Sequence, residues 1–192
     1  MNKHNRHWYF WLLLFLAGAL VQGTSLAFAE PRIRESKIAV IPFENLSGQY
    51  GASEEVIQGL WEIIQKDLSL VPMSHVEKTL ADSGIRHTGF LTTEEVKIIG
   101  RDLRVDALLM GLVETYRREP FPQVSFFCKL VSTRGDAPLL WSKNFCDLGK
   151  QQVYLFQRGD HTHWSSLIKS IAEDLLRSLP KNIKNNEPKR VK

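Results

Sequence analysis

Two cysteines, no apolar run of bilayer length and no lysine in the glycine-bearing loop that follows the first buried segment are what this 192-residue sequence most visibly lacks. Two cysteines are too few for the disulfide-dense frameworks of small secreted domains, so the fold must rest on an apolar core. The longest apolar stretch, residues 8–21, falls short of the ~20 residues that cross a bilayer as a helix. It follows Lys3 and Arg6 and precedes Ala27-Phe28-Ala29, which makes residues 1–29 a secretory signal peptide; the other reading of the same residues is a retained N-terminal anchor. No cysteine lies near the cleavage site to carry a lipid.

The stretch KIAVIPFENLSGQYGASEEVIQGLWEII, from Lys37, has the outline of a phosphate site: apolar strand, glycine loop, amphipathic helix. A Walker loop needs G-x-x-x-x-G-K-[ST], but Gly48 and Gly51 are followed by Ala52-Ser53. Glu54 and Glu55 suit the first turn of a helix and repel phosphate there. The dinucleotide fingerprint is absent too, as are G-x-S-x-G, H-E-x-x-H and a paired-carboxylate motif. No cofactor motif and no catalytic constellation is present, so the expectation is a protein that is not an enzyme.

The net charge of +4 is a property of the ends. The leader holds two of the 25 basic residues and residues 181–192 hold five, with one acid, Glu187; residues 30–180 are left with 18 bases against 20 acids. The body is therefore not basic and offers no case for nucleic acid. The tail KNIKNNEPKRVK, poor in apolar residues, is expected to be a disordered basic tail.

Residues 30–180 read as one domain. Residues 38–43 form an apolar strand; Ser53 caps a helix whose buried side is Val56, Ile57, Leu60, Ile63, Ile64 and Leu68. A short strand at 70–73, a helix at 76–82 capped by Ser74, and a helix opened by Thr92 or Thr93 follow. Residues 105–117 make a long strand, and a hairpin turns tightly around Arg134-Gly135. Trp164, Leu167, Ile168, Ile171, Ala172, Leu175, Leu176 and Leu179 mark a last helix closed by Pro180. The order β-α-β-α-α-β-β-β-α implies an α/β (mixed α+β) fold, a single mixed sheet with helices packed on it.

Cys128 and Cys146 lie on the two arms of the hairpin, which invites a disulfide. Alternation sets Val124, Phe126, Cys128 and Leu130 against Leu139, Trp141, Lys143 and Phe145, and so puts Cys146 on the other face. A bulge between them would reverse that. Asp160, His161 and His163 have a spacing seen in metal sites, although Asp160 or Thr162 also suits a helix N-cap.

Three segments read together are similar to a known group: KIAVIPFENLSG, DLRVDALLMGLV and VSFFCKLVSTRGDAPLLWS. They resemble the domain shared by CsgG-type curli secretion proteins, LpoB-type activators of penicillin-binding proteins and the N-terminal domain of TolB. The resemblance spans residues 37–179 and implies a periplasmic, mostly non-enzymatic α/β domain that binds other envelope proteins or assembles into rings. The chain departs from the pore-forming members in lacking a lipidation cysteine and a strand pair long enough for a membrane barrel.

The function expected is a periplasmic accessory or adaptor protein, with the outer membrane or peptidoglycan as its setting, that docks a larger envelope protein in assembly, secretion or peptidoglycan synthesis. Its candidate partner-binding residues are Asn45, Leu46, Ser47, Gln49 and Tyr50 in the first loop, and Arg134 and Asp136 at the hairpin tip. One alternative is a metal- or small-ligand-binding protein using Asp160, His161 and His163. Another is a homo-oligomeric, ring-forming secretion component.

Overall fold

The structure, a computed structural model, describes residues 36–119, 121–148, 163–181 and 183, all within one compact unit of the chain. The leader, most of the tail, Asp160 and His161 lie outside the described residues. A single mixed sheet contains β1 (Lys37–Val40), β2 (Glu44–Asn45), β3 (Ser69–Leu70), β4 (Ala107–Arg117), β5 (Gln123–Ser132) and β6 (Leu139–Leu148). Four helices pack on it: α1 (Ala52–Ile64), α2 (Met73–Asp82), α3 (Thr93–Leu103) and α4 (Trp164–Ser178). The strand order is β3-β1-β4-β5-β6, with β2 also on β4; β1, β2 and β3 are parallel pairings and β4, β5 and β6 an antiparallel meander. This is the mixed α/β fold expected, with β2 as an added piece.

That piece comes from a break in the first strand. Between Val40↔Leu109 and Glu44↔Leu112 the first strand advances one residue more than β4 does. Pro42 lies in the interval; it has no N–H to give the ladder, so the chain bulges there and pairing resumes at Glu44. Residues 38–43 are thus not one continuous strand.

Two caps also differ from expectation. Gly51, not Ser53, is the N-cap of α1, because glycine takes the left-handed φ of 76° that swings the loop directly into the helix. Ser53 is buried in the first turn, where its hydroxyl donates to Glu54 Oε2 at 2.9 Å. Pro72 similarly precedes α2, which starts at Met73, so Ser74 lies inside the helix. Thr92 does cap α3: its Oγ1 accepts from Glu95 N at 3.2 Å while Glu95 Oε2 accepts from Thr92 N at 2.7 Å, a reciprocal capping box. Leu179 ends α4 in extended geometry, as a residue before proline prefers.

Each face of the sheet has its own core. Under α1 and α4 lie Ile38, Val40, Leu109, Val113 and the inward residues of β5, Val124, Phe126, Cys128 and Leu130. Phe126 is fully buried, its ring 5.0 Å from that of Phe145 and 5.9 Å from that of Phe43. Under α2 and α3 lie Ala39, Ile41, Leu108, Met110 and Val131. The β5–β6 register pairs Phe126 with Phe145, Cys128 with Lys143 and Ser125 with Cys146, so the two cysteines are on opposite faces and both are free thiols. A bulge does occur, between Leu130 and Val131, but it lies on the turn side of both cysteines and leaves their relation unchanged. The turn itself is wider than a tight reversal: residues 133–138 connect the arms, with positive φ at Gly135 and Ala137.

Two outcomes follow from this packing. A Cβ on Gly100 would collide with the Thr133 side chain, so Gly100→Ala should destabilise the chain by about 1–3 kcal/mol, read as a lower Tm and denaturation midpoint. A thiol reagent should modify only Cys146 in the folded, reduced chain and both cysteines after denaturation.

Candidate functional site

The loop after β2 is held by its own polar side chains. Asn45 Nδ2 donates to Gln49 O at 2.6 Å, and Asn45 Oδ1 accepts from Ser47 N at 3.1 Å and Ser47 Oγ at 2.7 Å. Ser47 Oγ in turn accepts from Gln49 N at 3.2 Å. Gly48 and Gly51, with φ of 73° and 76°, make the reversals that this network needs. Asn45 and Ser47 are therefore spent on shaping the loop. What the loop presents outward is Leu46, 58% exposed, and Tyr50, 105% exposed.

Phe90, which sequence reasoning did not single out, belongs to the same end of the sheet. Gly89 N donates to Glu44 Oε2 at 2.8 Å, which ties the segment before α3 to β2. Strand alternation directs Leu46 to the same face as Glu44, and Phe90, 75% exposed, stands there with Lys129 Nζ 5.5 Å from its ring centre. An aromatic between a glycine and a capped helix was the only sign of it in the sequence. Three large apolar side chains thus remain in water on backbone that is pinned by hydrogen bonds.

The hairpin tip is elsewhere and differently employed. It joins the sheet at the N-terminal end of β4, where Ala107 pairs with Ser132, whereas the loop follows the C-terminal ends of β1 and β2. Arg134 is ion-paired with Asp106, and Asp136 lies 3.8 Å from Lys97 in an exposed pair of little energetic weight. Thr133 Oγ1 donates to Val105 O at 2.6 Å. Arg134 is fastened to the α3–β4 connection at Asp106, Asp136 only approaches Lys97 of α3, and neither is brought together with the loop.

Of the candidate metal ligands, His163 is the exposed N-cap residue of α4, and its partners Asp160 and His161 lie outside the described residues. Among the described residues no three His, Cys, Asp or Glu side chains gather to hold a metal. Near the loop, Glu55 accepts from Tyr116 Oη at 2.6 Å and from Arg118 Nη1 at 2.9 Å, joining α1 to the end of β4; the Tyr116 ring meets Trp164 of α4 edge-on at 5.1 Å. Burial, then Glu55 as hydrogen-bond acceptor and as a like charge, pushes the Tyr116 hydroxyl up to about 12. It remains protonated at neutral pH and serves as a donor to the carboxylate. Burial also raises the Cys128 thiol, which keeps it inert.

No family model matches the chain, and no curated protein matches its sequence. Solved structures do match. The lipoprotein GNA1162 from Neisseria meningitidis superposes with a TM-score of 0.53 at 17% identity, over 74% of this chain and 96% of that one. The PelC dodecamer from Paraburkholderia phytofirmans gives 0.47 at 18% identity over 75% and 87% of the two chains, and the LpoB C-terminal domain from Escherichia coli gives 0.45 at 13% over 59% and 82%. The chain has the fold of the Neisseria lipoprotein; at these identities the likeness is one of fold. Structures of the LpoB type, named above from three sequence segments, are among those similar to it.

The Tyr116–Glu55 contact has a readable consequence at alkaline pH. An unfolded tyrosine ionises near 10.0 and the folded one near 12, so the unfolded state loses a proton that the folded state keeps, and stability falls as pH rises through that window. In Tyr116→Phe the fall should be shallower, and the highest-pH step of the phenolate absorbance titration should be missing.

Proposed function

We propose that this chain is a non-catalytic accessory protein of the bacterial cell envelope, which docks a larger envelope protein through the end of the sheet that carries Leu46, Tyr50 and Phe90. The observation that carries this reading is the loop of residues 45–50. Its backbone is ordered by its own side chains, while Leu46 and Tyr50 are held in water. Ordering a loop costs about 1–2 kcal/mol per residue, and a loop already ordered spares that cost on binding. Tyrosine is also the kind of residue on which interface energy concentrates.

The setting is supported by two further features. The leader of residues 1–29 directs export, and the chain shares its fold with a bacterial lipoprotein. No described helix is long and apolar enough to cross a membrane. The partner is a periplasm-facing protein of the outer membrane or of the peptidoglycan layer, and the contribution of this chain is contact.

A photoreactive residue at position 50 should crosslink one envelope protein in intact cells. With that protein purified, Leu46→Ala with Tyr50→Ala should weaken binding at least about tenfold, about 1.4 kcal/mol, while Tm stays unchanged. Equal loss from Arg134→Ala, or none from the loop pair, would overturn the assignment.

A further inference from the structure

A groove of about 720 Å³ runs along the other side of α1, between that helix, the sheet edge at β3 and the start of α2. Ile57, Trp61 and Met73 form its apolar floor, and Glu54, Glu62 and Glu77 stand on its rim. No lysine or arginine lines it, and no described residue forms an ion pair with Glu62 or Glu77. It is an apolar trough with a negative lip, suited to an extended peptide that has a cationic side.

The path of the chain brings such a peptide to the end of the domain where α1 finishes. Tyr116, at the far end of β4, touches both Glu55 near the start of α1 and Trp164 at the start of α4. Midway, Ile168 packs over Gly59, so the two helices run side by side in the same direction. Their C-terminal ends therefore share one end of the domain, and Ile64, Leu68, Leu179 and Ile183 are all buried in the core on this face of the sheet. Gln65, the residue that follows α1 at that end, is among those lining the groove. Beyond Ile183 the chain has nine residues, KNNEPKRVK, with four bases and one acid. At ~3.3 Å per residue they reach about 30 Å, more than the ~20 Å length of the 13-residue α1.

We propose that residues 184–192 fold back along α1 and occupy this groove of their own chain, with Lys189, Arg190 and Lys192 facing its glutamates. A tethered segment sees its site at an effective concentration of about millimolar, so even a weak contact is populated. The tail is then a built-in competitor: a partner segment with the same basic chemistry must displace it. This stands apart from the docking loop and holds or fails without it.

Methionine methyl NMR of the full chain reads the groove directly, since Met73 lies in it and the buried Met110 serves as control. Changing Lys189, Arg190 and Lys192 to Glu should move the Met73 signal by more than its linewidth and leave Met110 in place. Glu62→Gln with Glu77→Gln should move Met73 by itself, and in the tail-reversed chain the same pair should add nothing further. An unmoved Met73 signal, or additive effects of the two sets, would overturn the proposal. So would a shift that fades on dilution, which would place the tail in the groove of a second copy.

Discussion

Burial of β4 on both faces is the constraint to which the rest of this domain answers. Leu108, Leu109 and Met110 are consecutive and all but inaccessible, so successive side chains must enter different cores. One core requires α1 and α4 above it and the other requires α2 and α3 below. The strand also joins two kinds of pairing, parallel to β1 and antiparallel to β5. Asp106, at its threshold, ties the neighbours together: its carboxylate accepts from Lys37 N at 3.2 Å and pairs with Arg134, and its carbonyl accepts from Thr133 N at 3.0 Å. Half-buried, it would be costly to leave unpaired, which is why β1, β4 and the hairpin meet in a single arrangement there.

This frame puts the surfaces around α1. Its N-terminal end adjoins the loop that holds out Leu46 and Tyr50, its flank forms the wall of the acidic-rimmed groove, and Glu55 fastens it to β4 and so to α4. The helix is itself seated on the stacked Phe126 and Phe145 side of the sheet. Loop and groove are therefore presented by one element, and a partner at either, on the proposed readings, would meet a preformed shape.

Legibility in the sequence followed the range of the forces. The last helix was plain from its periodicity because eight apolar residues all serve one packed stripe, and Pro180 ends it for covalent reasons. The start of α3 was legible to within one residue, Thr92 or Thr93, because cap preference is local; the reciprocal hydrogen bonds with Glu95 settle it on Thr92. The faces of β5 followed from alternation, which also separated the cysteines. Ser53 and Ser74 misled because cap preference is local, whereas the helix starts were set by the left-handed Gly51 and by Pro72. The break at Pro42 was invisible because a missing N–H matters only when a neighbouring strand asks for it.

The amino-acid sequence by itself determined the class of fold, the four helices among the described residues, the two faces of β5 and the concentration of positive charge at the two ends. Those properties arise from side chains within a few residues of one another, whose periods of 2 and 3.6 are independent of where the chain travels. Only the tertiary structure decided that Leu46 and Phe90 share a face, that Arg134 is committed to Asp106, and that α1 and α4 run in the same direction and so finish at one end of the domain. Each of these joins residues far apart in the chain, and it is the register of strands on β4 that brings them within reach.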